Sequence, residues 1–162
     1  MTQTELKALL EEFYRDKLAL RNRHVAAARL VTDYDTNNTY QYVIAREDVQ
    51  LSWLRATIEE LSGNLAEVPE PEVRATGKRD EAERAILTED RDLAARFVER
   101  WSGRVEAVTH ARHRGMLRVI LGETVEHKRF FELALAGRDD LLGRRMDGAG
   151  TGGGVLPSRW IE

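Results

Sequence analysis

Apolar residues recur at three- and four-residue steps through four long stretches of this chain. In two of those stretches a glutamate stands inside the apolar stripe. That period belongs to helices with one buried face, so the sequence predicts an all-α fold. The first stretch, residues 4–32, carries Leu6, Leu10, Phe13, Leu20, Ala27 and Val31, with Lys17 and His24 filling gaps in the stripe. Thr2 and Glu5 have the spacing of a capping box. The cap and turn residues at 33–38 predict a reversal. The second stretch, residues 39–61, carries Val43, Glu47, Gln50 or Leu51, Leu54, Ile58 and Leu61, and Gly63 is a stop signal. Pro69-Glu70-Pro71 breaks the pattern. Residues 78–87 read as a short charged helix. Thr88-Glu89-Asp90 then reads as the N-cap of a third long helix, with Leu93, Phe97, Trp101, Val105 and Val108 inward. The fourth runs to about residue 136, with Met116, Val119 or Ile120, Glu123, Glu126 or His127, Phe130 and Ala134 inward. The expected organisation is a bundle over residues 1–145 and a flexible Gly-rich tail over 146–162, with Trp160-Ile161 near its end.

One phrase occurs twice. Val43-Ile44-Ala45-Arg46-Glu47-Asp48-Val49 returns as Val119-Ile120-Leu121-Gly122-Glu123-Thr124-Val125, with Val, Ile, Glu and Val in register. It places the second and fourth helices in equivalent positions, each aiming an acid inward. A buried carboxylate must be paired or bound to a cation. Lys17, on the stripe of the first helix, is one available partner. A second polar group, Glu106, His110 and His113, has helical spacing but sits among arginines, as a solvated helix end does.

Composition narrows the function classes. The 162 residues are 33% charged with a formal net charge of −3, and no basic excess argues for nucleic acid. There is no cysteine, which excludes disulfides, thiolate metal sites and a cysteine nucleophile. No apolar run reaches the length of a membrane span, and no leader pattern opens the chain, so a cytoplasmic location is expected.

Glu47-x-x-Gln50 on the second helix and Glu123-x-x-Glu126 on the fourth, followed by His127, carry a resemblance. With four helices and a long middle connection, the chain resembles the ferritin-like superfamily of carboxylate-bridged di-iron bundles, the group of rubrerythrins and bacterioferritins. The resemblance implies two helical hairpins joined by a long crossover, and iron or manganese as the bound metal. It implies Glu47 and Glu123 as central carboxylates, with Glu126, His127, His24 and Gln50 as further ligands. It also implies oxidoreductase chemistry on oxygen, peroxide or iron. The chain departs from the family pattern at Gln50 and Glu126, where histidines would stand, and in having no clear glutamate on the inner stripes of the first and third helices. The competing expectation is the same bundle without metal, acting as a binding or interaction module. There Glu47 and Glu123 pair with basic side chains. A homodimer fits either reading.

Overall fold

The computed structural model of the chain describes residues 1–138, 141 and 142. The tail expected at 146–162 lies outside them. Four helices form a bundle: α1 (Gln3–Ala28), α2 (Tyr34–Glu60), α3 (Arg79–Glu106) and α4 (Ala111–Leu135). No strand occurs among the described residues.

The capping box closes as expected. The Glu5 amide donates to Thr2 Oγ1 at 3.2 Å, and the Thr2 amide donates to Glu5 Oε2 at 2.6 Å. Three boundaries differ from expectation, and the first is that α1 ends at Ala28, short of the expected residue 32. Helix α2 begins at Tyr34 because Asp33 is its cap, its carboxylate accepting the Thr36 amide at 3.0 Å. Helix α3 runs unbroken from Arg79 through 88–90, so no cap exists there. The Thr88 hydroxyl donates to the Arg84 carbonyl at 2.8 Å, the in-helix outlet that lets a cap-type residue stay helical. Asp90 therefore faces inward.

The two hairpins repeat each other, at a spacing one residue longer than the duplicated phrase indicates. Helix α2 starts at residue 34 and α4 at residue 111, an offset of 77. Burial follows that offset. Leu10, Lys17, Leu20, His24 and Ala28 of α1 correspond to buried Leu87, Ala94, Phe97, Trp101 and Val105 of α3. Tyr40, Val43, Glu47, Gln50 and Leu54 of α2 correspond to buried Leu117, Ile120, Thr124, His127 and Phe131 of α4. The phrase itself pairs buried Val43 with Val119, which is 49% exposed. Its identities are thus not structural equivalences, and the counterpart of Glu47 is Thr124.

The core divides into two apolar clusters. Phe13 packs edge-on against Phe97 and Trp101 at ring-centroid distances of 5.2 and 4.8 Å, within a cluster that includes Leu10, Leu54, Ile58, Leu117 and Ile120. At the other end Tyr40 and Phe131 pack with Ala27, Val31, Ile86 and Leu87. Between them lies a layer of polar side chains.

Candidate functional site

All four helices contribute to that layer: Lys17, Arg23 and His24 from α1, Tyr40, Glu47 and Gln50 from α2, Asp90 from α3, and Thr124 and His127 from α4. All are buried. Each lies on its helix's inward stripe, so the spacing that builds the core also delivers these groups to it.

Lys17 and Glu47 hold its centre. Lys17 Nζ donates to Glu47 Oε1 at 3.1 Å and to Thr124 Oγ1 at 3.2 Å. The Thr124 hydroxyl donates onward to the Ile120 carbonyl at 2.8 Å, leaving its lone pairs for the ammonium. The Lys17 ammonium also lies 5.4 Å from the centroid of the Phe97 ring. The second Glu47 oxygen, Oε2, accepts from His24 Nδ1 at 2.9 Å. Burial alone would raise the Glu47 carboxyl, but the nearby charges of His24 and Lys17 pull it down to about 2. Burial likewise disfavours a charged His24, and the Glu47 carboxylate outweighs it, raising the imidazole above its ordinary range. Glu47 is thus a buried, ionised carboxylate with both oxygens engaged.

Asp90 anchors the adjoining group. Its Oδ1 accepts from Arg23 Nε at 3.1 Å, and its Oδ2 accepts a short hydrogen bond from the Tyr40 hydroxyl. Burial first, and then the Asp90 charge, push the Tyr40 hydroxyl well above its ordinary pKa. Tyr40 therefore stays a donor. His24 Nε2 lies 3.9 Å from Asp90 Oδ1, beyond hydrogen-bonding reach. It has no hydrogen-bond partner, and neither do His127 Nδ1 and Gln50 Oε1. Burial, and then the Lys17 ammonium, push His127 down to about 3, so it is neutral at physiological pH.

The expected site residues thus separate. Glu47, His24, Gln50 and His127 gather in the layer. Glu123 lies at its rim with its side chain 23% exposed, where Arg46 Nη2 donates to it at 2.6 Å and Gln50 donates through a short bond. Glu126 is exposed and takes no part, because His127 occupies the inward position. Lys17, foreseen as a partner for Glu47, fills that role. Thr124, Asp90, Tyr40 and Arg23 were missed as site residues. His110 and His113 stack at 4.2 Å between ring centroids, at the start of α4 and apart from the layer.

The donor set does not fit the di-iron centre that the resemblance implies. Neutral Gln50 and Thr124 stand at inward positions of the two helices that would supply carboxylate and histidine. An ammonium stands between Glu47 and Thr124, and it has three donors and no lone pair. Among the described residues no group of three or more His, Asp or Glu side chains is arranged to hold a metal ion.

A broad concavity lies elsewhere. A cleft of about 830 Å³ runs between α1, α3 and the 61–78 connection. Ala19, Leu20, Leu93, Phe97, Val68 and Pro69 line it, and Arg23 and Phe97 join it to the polar layer. Asn22 Nδ2 pins the connection in place by donating to the Val68 carbonyl at 2.8 Å.

The chain matches no known family model, and comparison with characterised proteins and with solved structures gives no match. No helix among the described residues is long and apolar enough to cross a membrane.

Proposed function

We propose that this protein is a ferritin-like four-helix bundle, with the 61–78 connection as its long crossover, in which a lysine does the work of a metal. On this reading it acts by binding partners rather than by redox catalysis. One observation carries the reading: Lys17 Nζ sits between Glu47 of one hairpin and Thr124 of the other, at 3.1 and 3.2 Å. A buried carboxylate needs a compensating cation. Lys17 supplies it covalently, and Ala94, its counterpart on α3, is small enough to leave room for one long side chain at the centre. Arg46 does the same for Glu123 at the rim. Both acids are thus satisfied by side chains of the chain itself.

The test is metal analysis after aerobic loading with ferrous iron or manganese and desalting, with melting curves in the presence and absence of chelator. The reading expects no retained metal and an unchanged melting temperature. A second reading has its own support in the unpartnered His24 Nε2, His127 Nδ1 and Gln50 Oε1. They would be explained by an ion bound in the layer. That reading expects one to two metals per chain, lost on Glu47→Ala, and a melting temperature that falls on chelation.

A further inference from the structure

We infer that the outward face of α4 is self-complementary, and that two copies of this chain pair along it, antiparallel, about Gly122. Residues Gly115, Arg118, Val119, Gly122, Val125, Glu126 and Arg129 recur at three- and four-residue steps, and every one is exposed. Opposite them on the same helix lie the buried Leu117, Ile120, Thr124, His127 and Phe131. Val119 and Val125 are each 49% exposed, and Gly122 lies between them.

The two glycines are not required by the fold. A Cβ added at Gly115 or Gly122 would meet no atom within 4 Å, and neither residue has a positive φ. Glycine inside a helix costs about 1 kcal/mol relative to alanine. Among the described residues no contact offsets that cost. What such a position permits is the close approach of another backbone from outside.

The flanking residues say which backbone. In an antiparallel pair centred on Gly122, Arg118 and Val119 of one copy lie level with Val125 and Glu126 of the other. The two-fold axis repeats the arrangement at the far end. Each end then combines Val119 and Val125 with Arg118, Glu126 and Arg129, the last level with the opposite Gly115. Glu106, which accepts two hydrogen bonds from Arg118 of its own chain, brings the charges at each end to two arginines and two glutamates. Charge, apolar surface and backbone clearance are matched by one sequence meeting itself, which is what an isologous interface requires. Apolar residues of α2 adjoin the face. The Arg46–Glu123 ion pair and the Thr57–Met116 hydrogen bond set α2 antiparallel to α4. Trp53, 36% exposed, falls at the level of Val119 beneath that register.

The inference rests on the reading of the protein as an association module and names its partner. The test leaves the metal question aside. Sedimentation equilibrium of the full chain, from micromolar to submillimolar concentration, reads the oligomeric state. A dimer is expected. Arg118→Glu should weaken it by about ten-fold or more, the equivalent of about 1.4 kcal/mol. Adding Glu126→Arg to that variant should restore it. Because the chain has no cysteine, Gly122→Cys introduces a single thiol on the proposed axis. It should form a disulfide-linked dimer under mild oxidation much faster than Gly103→Cys, a control at an exposed, unobstructed glycine on α3. A monomer throughout the concentration range would overturn the proposal. So would a dimer indifferent to Arg118→Glu whose Gly122→Cys variant links no faster than the control. Metal binding, should it be found, would defeat the functional reading above and leave the dimer standing.

Discussion

The ammonium of Lys17 lies 3.1 Å from the carboxylate of Glu47, and neither side chain touches solvent. Taking Lys17 away leaves the buried Glu47 charge to His24 alone, and breaking a buried pair costs up to about 3–5 kcal/mol. Lys17→Met should therefore destabilise the protein by that order, read from urea unfolding. Adding Glu47→Gln removes the stranded charge while keeping an acceptor for His24, and should recover a substantial part of the loss. A double variant less stable than Lys17→Met would show that the Glu47 charge is wanted for something other than Lys17.

His127 and His24 should titrate in opposite senses. His127 is held neutral down to about 3, whereas the unfolded chain takes up that proton near the ordinary histidine value of 6.5. Stability should then fall as pH drops below about 6.5, with a slope approaching about 1.4 kcal/mol per pH unit for one proton. Glu47, pulled down to about 2, adds to the loss below its ordinary value of 4.5. His24 is raised, so its contribution is complete below 6.5 and is lost as pH rises through its folded value. The expected stability profile peaks near neutrality. His127→Leu should flatten its upper acid limb, between about 6.5 and 4.5. In proton-detected titrations, a His127 ring that takes up its proton near 6.5 would contradict this assignment.

Much of this arrangement was legible in the chain. The helical period placed Lys17, His24 and Glu47 inward, and it flagged Lys17 as the partner of Glu47. What misled was local chemistry read without the packing that overrides it. Thr88-Glu89-Asp90 has the composition of a cap, yet residues 86, 87, 90, 94, 97 and 101 form one continuous buried stripe. Read by period alone, that stripe would have put Asp90 in the core. The duplicated phrase pointed to Glu123, because identity of residues was weighed above continuity of the stripe. Shifting the comparison by one residue aligns Glu47 with Thr124 and Gln50 with His127. A helix tolerates no such slip, because one residue turns a side chain by about 100°. The capture of Asp90 by Tyr40 and Arg23 depends on how three helices meet, and no spacing within one helix carries it.

Tyr40 and Asp90 offer a check on that missed part of the layer. Tyr40→Phe keeps the ring against Phe131 and removes the hydroxyl that donates to Asp90 Oδ2. Asp90 would keep only its contacts to Arg23 and the distant His24. The expected loss is about 1.5–3 kcal/mol, the range for a hydrogen bond to a charged group. Thermal or urea unfolding measures it. A loss near zero would mean that Asp90 finds compensation elsewhere in the layer.

Gly63 closes the end of α2 under a steric constraint that a single methyl group would violate. Its amide donates to the Ile58 carbonyl at 2.8 Å, and the adjacent Asn64 amide donates to Glu11 Oε1 at 2.7 Å. A Cβ at residue 63 would stand 2.7 Å from Ile58 Cγ2 and 2.8 Å from Glu11 Oε1. The glutamate can swing away only by giving up the Asn64 amide, and Ile58 is fully buried. Gly63→Ala should therefore cost about 1–3 kcal/mol, the usual penalty of overpacking. The loss should be accompanied by faster amide exchange at Asn64, as its hydrogen bond to Glu11 is disturbed. By contrast Gly122→Ala meets no atom within 4 Å and should stabilise the monomer by up to about 1 kcal/mol. Comparing the two variants in one unfolding experiment separates a glycine that the fold requires from one that it does not. If both proved equally costly, Gly122 would have a role inside the monomer, and the argument from an unrequired glycine on α4 would fail with it.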